Sequence, residues 1–215
     1  MLTLYHSPMS RSTRVLALIN ALNLRDEIEI VTVVIKRQDG SGHHDPANPH
    51  PEGKVPLLVT EDGEQIRESN AIMLYLTDRF GSCGRGVGAA GRGAYLSWMT
   101  WYGNVFEPVY VIGVAHKMAA EMSGEAPPEN PVFTTTWRTI PDALAVLETA
   151  LSDGRPFLMG EDMTAADLLI CSTYFWFGAP DVPVVAAWVA RCAALECVKA
   201  SVAFDEAQMA KQTAR

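Results

Sequence analysis

The constraint that most narrows the possible folds lies in residues 1–35, where a strand, a helix and a second strand follow one another with almost no spare chain. Leu2-Thr3-Leu4-Tyr5 reads as a short strand, stopped at Ser7-Pro8 because proline fixes φ and has no N–H to give a ladder. From Ser10 to Leu24 apolar residues recur at Val15, Leu18, Ile19 and Leu22, the i, i+3, i+4, i+7 spacing of a helix with one buried face. Ile28, Ile30, Thr32, Val33, Val34 and Ile35 then form a β-branched run, which predicts a second strand. Elements this close together make a βαβ unit with a parallel strand pair.

Residues 36–54 are rich in Lys, Asp, His and Pro and read as mostly irregular, with room for one short helix. Val55-Pro56-Leu57-Leu58-Val59 and Gln65-Ile66 flank a turn at Glu61-Asp62-Gly63, which predicts a hairpin. Helical spacing returns from Glu68 to Phe80 through Ile72 and Leu76. The order β-α-β-(α)-β-β-α predicts a small α/β layer over residues 1–80. Residues 81–93 hold six of the sixteen glycines and read as a linker. Everything from 94 to 215 reads helical, at about 94–122, 134–152, 165–177, 183–195 and 198–212, with breaks at Pro127-Pro128, Pro131, Gly154-Arg155-Pro156 and Pro180/Pro183. Thr164-Ala165-Ala166-Asp167 ahead of Leu168-Leu169-Ile170 is close to a capping box, with Asp in the place of Glu.

Charge decides which partners to set aside. A net charge of −8 argues against a nucleic-acid groove or an anionic membrane surface, since both require cationic patches. No run approaches the length of a membrane span, and Met1–Tyr5 lacks the basic and apolar regions of a signal peptide. Cys83, Cys171, Cys192 and Cys197 form no CxxC pair, and with five scattered His they suggest reduced thiols, no metal site and a cytoplasmic location.

Three segments carry candidate chemistry. The loop Ser7-Pro8-Met9-Ser10-Arg11-Ser12 leaves a strand and enters a helix, where backbone N–H groups and the helix dipole stabilise an anion or a thiolate. Its three serines add hydroxyl donors, although helix capping explains any one of them equally well. Val55-Pro56 is an X-Pro bond at a strand start, where an ordinary trans proline or a cis corner is possible; Val55 has backbone groups to offer an extended ligand. Glu68-Ser69 heads a helix, with Ser69 as its expected N-cap and Glu68 available to an ammonium group.

Taken together, Ser-Pro-x-Ser-x-Ser-x-Arg-Val, Val55-Pro56, Glu68-Ser69 and Thr164-x-x-Asp167 resemble the glutathione S-transferase family over nearly the whole chain. The resemblance implies a thioredoxin-like N-terminal domain and an all-helical C-terminal domain. It implies that Val55 holds the cysteinyl backbone of glutathione beside a cis Pro56. Glu68 and Ser69 would hold the γ-glutamyl end, while Lys54 and one of Lys36, His43, His44 or His50 would lie towards the glycine carboxylate. His50-Pro51-Glu52 makes the stretch between Asn48-Pro49 and Gly53 longer than the common family pattern.

In serine-type members the reactive serine precedes the Arg of Arg-Val by four residues, a spacing that Ser10 meets with Arg14. Ser12 is the runner-up and Ser7 the third. Tyr5 is a further candidate, set back because it lies three residues before Pro8 where the family's tyrosine lies two. The resemblance further implies glutathione as co-substrate without metal or redox cofactor, a small hydrophobic electrophile as acceptor, and a homodimer. Met9, Tyr102 and Phe106 are the expected lining of the acceptor pocket, the last two sharing a helix face at i and i+4. The expected reaction is thioether formation by a glutathione thiolate. The alternatives are an isomerase of the maleylacetoacetate type, although Met9-Ser10-Arg11 departs from that group's Ser-Ser-Cys, and a non-catalytic interaction protein.

Overall fold

A computed structural model describes residues 1–37, 40–111, 113, 121–122, 124 and 138–213. Pro127-Pro128, Pro131 and the adjoining ends of the two helices expected at 94–122 and 134–152 lie outside these described residues. The chain divides into two compact units, one of residues 1–90 together with 193–215, the other of residues 91–192.

The first unit is built on a four-stranded sheet of β1 (Leu2–His6), β2 (Ile28–Thr32), β3 (Leu57–Val59) and β4 (Gln65–Arg67), in the order β2-β1-β3-β4. β1 runs parallel to β2 and antiparallel to β3, and β3 and β4 form the expected hairpin. The helices α1 (Ser12–Ala21) and α2 (Ser69–Phe80) pack on one another and on this sheet. Leu2, Leu4 and His6 are buried on one face of β1, as the two-residue strand period requires. β2 ends at Thr32 rather than at Ile35. Beyond the His6–Thr32 pair β1 turns away at Ser7-Pro8, and the Val34 N–H is taken by the Asp45 carboxylate at 3.0 Å. Between Val33 and Pro56 the described residues form turns and no helix.

The long last helix, α7 (Glu196–Thr213), belongs to this unit, not to the helical domain in which its sequence placed it. It docks along α1: the Asn20 side-chain amide donates to the Cys197 carbonyl at 3.2 Å, and the Arg25 guanidinium sits 4.7 Å over the Phe204 ring. Its buried stripe is Val198, Ser201 and Asp205, a face that carries two polar residues in three.

The second unit contains α3 (Arg92–Trp101), which passes through a π-turn at Tyr102–Phe106 into further helix, then α4 (Ile140–Leu151), α5 (Ala165–Phe177) and α6 (Pro183–Ala193). An aromatic cluster forms its centre, with ring centroids 5.6 Å apart for Phe106 and Tyr174 and 5.3 Å apart for Tyr110 and Tyr174. Asp167, at the start of α5, is fully buried and accepts four bonds. The Thr164 N–H and hydroxyl each reach Oδ2 at 2.9 Å, while the Leu158 N–H at 2.8 Å and Trp188 Nε1 at 3.0 Å reach Oδ1. This one carboxylate thus caps α5, fixes the preceding loop and anchors α6. Replacing it leaves buried donors without acceptors, each at the cost of its desolvation. Asp167→Ala is expected to lower the unfolding free energy by about 3–5 kcal/mol. Urea denaturation, read as a lower midpoint with an unchanged slope, checks this.

Candidate functional site

The chemistry-bearing residues of the first unit meet at the turn from β1 into α1. Met9 takes a left-handed backbone (φ 51°), which reverses the chain and leaves Ser7, Ser10 and Ser12 facing one another. Ser10 Oγ lies 2.6 Å from the Ser7 carbonyl and 2.7 Å from Ser12 Oγ, and it accepts the Ser12 N–H at 3.2 Å. Ser12 Oγ accepts the Ser7 N–H at 3.1 Å and lies 2.7 Å from Nδ1 of His6. Nε2 of His6 is 2.9 Å from Asp205 Oδ1, and Asp205 Oδ2 accepts the Met9 N–H at 2.7 Å and the Thr13 hydroxyl at 2.6 Å. His6, Ser12 and Asp205 are all wholly buried, whereas Ser10 keeps 9% of its surface and Met9 47%. Ser10 is therefore the least buried of the three serines and marks the rim of the loop, with Ser12, His6 and Asp205 deeper.

From the opposite side Arg37 donates to the Pro8 carbonyl at 2.7 Å and to the Met9 carbonyl at 3.4 Å. The segment that carries it is fixed on both sides: the Arg37 N–H bonds the Ser41 carbonyl at 2.9 Å, and a Cβ at Gly42 (φ +73°) would overlap the Ile35 carbonyl oxygen. The loop is thus held through the Met9 N–H and the Thr13 hydroxyl by a carboxylate of α7, and through its carbonyls by a guanidinium.

Two more segments frame the turn. The Val55–Pro56 peptide is cis and leads directly into β3, next to β1. Ahead of it a knot of local bonds fixes residues 48–54: Asn48 Nδ2 to the Lys54 carbonyl at 3.1 Å, the His50 N–H to Asn48 Oδ1 at 3.1 Å, and the Glu52 N–H to His50 Nδ1 at 3.0 Å. The extra residues His50-Pro51-Glu52 form this knot and do not spread into an open loop. Lys54 is exposed, as are Lys36, His43 and His44, while His50 is buried. Burial pushes the His50 imidazole below its ordinary value of 6.5, and its Nδ1 is already occupied as an acceptor.

Glu68 stands at the entrance to α2 with a positive φ of 67° and an exposed side chain. Ser69 is the first helical residue and not the N-cap; the N-cap position belongs to Glu68, and no side chain caps this helix. The Ser69 hydroxyl is 3.5 Å from Nη1 of the buried Arg14, which ties the head of α2 to α1. First-turn N–H groups have no acceptor within their own helix, so this corner suits a carboxylate.

The serines, Val55-Pro56, Glu68 and Ser69 all sit within the first unit. Tyr5 does not join them, because consecutive strand residues face opposite sides and His6 takes the side of Ser12. Tyr102 and Phe106 stand corrected as pocket residues: at 1% and 0% exposure they fill the aromatic core of the second unit, where Tyr102 also reaches Thr173 Oγ1 at 3.4 Å. Their i, i+4 spacing marked a buried face and nothing more. His6, Asp205, Thr13 and Arg37 were not singled out in the sequence. A histidine in the apolar register of Leu2 and Leu4 was a readable sign, but Asp205, 199 residues away from its partner, gave none.

Residues 4–85 match the family model described as glutathione S-transferase, N-terminal domain. The glutathione S-transferase-like protein LUC7 of a Fusarium species is 30% identical over 159 residues, covering 69% of this chain and 70% of that protein. The chain belongs to the glutathione S-transferase family. Solved structures agree on the fold. A glutathione transferase of Methylococcus capsulatus str. Bath matches at a TM-score of 0.70 with 21% identity, over 96% of this chain and 99% of the other. A sphingomonad glutathione S-transferase solved in complex with glutathione matches at 0.71 with 23% identity, over 95% and 98%. The thioredoxin-like sheet and the helical region expected of the family are therefore both present. Among the described residues no helix is long and apolar enough to cross a membrane, and no cluster of side chains is arranged to hold a metal ion.

The His50 knot makes a prediction about pH. A histidine whose folded pKa is depressed adds stability above its unfolded pKa, near 6.5, and loses it as pH falls towards the folded value. Wild-type stability should therefore fall as the pH drops below about 6.5, and His50→Gln should show a shallower fall over that range. Urea midpoints of the two proteins at matched pH values test this, and parallel curves would contradict it.

Proposed function

We propose that this member of the family binds glutathione in the first unit, ionises its thiol at Ser10, and directs the thiolate at a small hydrophobic electrophile to give a thioether. The observation that carries the reading is Ser10: it is the least buried of the three loop serines, it lies at the positive end of α1, and it shares the first unit with the family's glutathione-holding motifs. Ser12 supports it from behind. Cis Val55–Pro56 supplies backbone groups for the cysteinyl part of the tripeptide. Glu68 and Ser69 at the head of α2 receive the γ-glutamyl end, and Lys54, which is exposed, is available to the glycine carboxylate. Met9, exposed beside Ser10, gives an apolar neighbour to the acceptor. A homodimer is part of the same reading.

A free thiol with a pKa of about 8.5 is only a few per cent ionised at neutral pH. A hydrogen bond to a charged group is worth about 1.5–3 kcal/mol, enough to lower that pKa by about one to two units. Retention on immobilised glutathione, followed by conjugation of a generic aryl halide, tests the reading. Ser10→Ala should raise the apparent pKa of bound glutathione by about one to two units and cut turnover more than affinity. An unchanged pH–rate profile would move the role to Ser12. A second variant tests the other end of the tripeptide: Glu68→Gln with Ser69→Ala should chiefly weaken glutathione affinity, and wild-type affinity in that double variant would remove the corner from the site.

A further inference from the structure

The hydroxyls at the β1–α1 turn do not end at Ser12. Behind them lies a base, and the hydrogen positions along the chain follow from the donor inventory. Asp205 has only acceptors to offer and meets three donors, so the hydrogen between it and His6 belongs to His6 Nε2. A neutral imidazole protonated there carries a lone pair on Nδ1, and the group 2.7 Å away is the Ser12 hydroxyl, which must donate. Ser12 Oγ, its hydrogen spent on His6, then presents a lone pair to Ser10 Oγ at 2.7 Å. When Ser10 turns its one hydrogen from the Ser7 carbonyl to Ser12 Oγ, the links from Ser10 to Ser12, His6 and Asp205 all point one way, towards a buried carboxylate. The Ser7 carbonyl, 2.6 Å from Ser10 Oγ and 3.1 Å from Ser12 Oγ, is the competing acceptor for both serine hydrogens, and for Ser12 the imidazole nitrogen at 2.7 Å is the nearer of the two.

We infer that His6 is the terminal acceptor of the thiol proton, reached through Ser10 and Ser12, and that Asp205 is the positioning residue that keeps His6 in the receptive tautomer. This rests on the reading that the thiol of glutathione meets Ser10. The step closes. The thiol hydrogen passes to Ser10 Oγ, the Ser10 hydrogen to Ser12 Oγ, and the Ser12 hydrogen to His6 Nδ1. One S–H bond is lost and one N–H bond gained; each serine gives and receives one hydrogen. The end state is a thiolate at Ser10 and, two hydroxyls behind it, an imidazolium paired with the Asp205 carboxylate. Every hydroxyl has turned round, so that Ser10 now donates to the sulfur. Ionisation and stabilisation of the thiolate are then one event, where an isolated serine could only stabilise.

A purely structural Asp205 would explain its bonds to Met9 and Thr13, which tie α7 to the turn. It does not explain why its other oxygen holds a histidine whose far nitrogen meets the serines. Among the described residues, the charged groups placed near His6 by these contacts are Asp205 of α7 bonded to it, Arg25 over the Phe204 ring that packs edge-on to the imidazole at 5.7 Å, and Arg37 on the loop carbonyls.

Where the proton goes can be counted. Glutathione is titrated calorimetrically into the wild-type protein in buffers of different ionisation enthalpy, below the free thiol's pKa of about 8.5, with S-methylglutathione as the baseline that has no thiol proton. The ultraviolet absorbance of the thiolate is read in parallel. The relay predicts thiolate absorbance with almost no thiol proton released to the buffer. About one proton released per thiolate formed overturns it and leaves the glutathione reading standing, as does binding with the thiol intact. No heat of binding at all overturns both.

Asp205→Asn gives the second arm. Its amide oxygen must keep the two donors at Met9 and Thr13, so its NH2 faces His6 Nε2 and forces the hydrogen onto Nδ1. This variant should bind glutathione within about threefold of wild type, lose the thiolate absorbance, and fall by about 10²–10⁴ in kcat. Retained thiolate absorbance in Asp205→Asn would reduce Asp205 to a structural role. If that variant does not fold, the wild-type proton count decides alone.

Discussion

One carboxylate holds the candidate site of this molecule in place. Asp205, on the last helix, accepts a backbone N–H from Met9, a hydroxyl from Thr13 and an imidazole N–H from His6, so the end of the chain closes the turn near its beginning. A buried carboxylate is tolerated only when its oxygens are fully engaged, and three short donors meet that requirement. The consequence is reciprocal. The turn satisfies the charge, and the charge fixes a loop that has a left-handed residue at Met9 and little regular structure of its own. Arg37 completes the grip from the carbonyl side. A hydroxyl at the rim of such a loop is positioned before any ligand arrives, and preorganisation of this kind is what lets a hydrogen bond act on a developing charge.

Much of the architecture was readable because it rests on period and punctuation. The parallel βαβ opening, the hairpin across Glu61-Asp62-Gly63 and the Thr164/Asp167 cap came from residues only a few positions apart, and local spacing reports such features faithfully. The assignment of α7 to the helical domain failed for a matching reason. Its docking face is Val198, Ser201 and Asp205, so it has no apolar stripe, and nothing in its own sequence shows that α1 is its partner. Tyr102 and Phe106 erred in the other direction: their shared face was real, but a periodic face looks the same whether it fills a core or lines a cavity. Ser69 was legible as a helix start and not as its cap, because the backbone of Glu68 had already taken that position with a positive φ.

The site shows the same division between near and far. Ser10, Ser12, Val55-Pro56 and Glu68-Ser69 could be singled out as candidates because each is a short motif. What lies behind Ser12 could not, because hydrogen bonds spanning 196 and 199 residues leave no trace in local composition. A histidine in an apolar register of a strand is a hint of a buried partner, yet it does not name the partner. Only the fold brings the carboxylate to it.

Asp167 and Asp205 show why a buried carboxylate need not mean chemistry, and when it does. Both are wholly buried and both tie distant segments together. The donors to Asp167 are two backbone N–H groups, a threonine hydroxyl and the indole of Trp188, none of which accepts a proton near neutral pH, so that cluster can only hold its shape. Among the donors to Asp205 is an imidazole, the one side chain with a second nitrogen able to take a proton in that range, and its second nitrogen faces a line of hydroxyls ending at the rim. The difference lies in the partner and not in the acid. Replace the imidazole by an indole and the same geometry is a brace; keep it, and the brace has a path along which a proton can leave the surface.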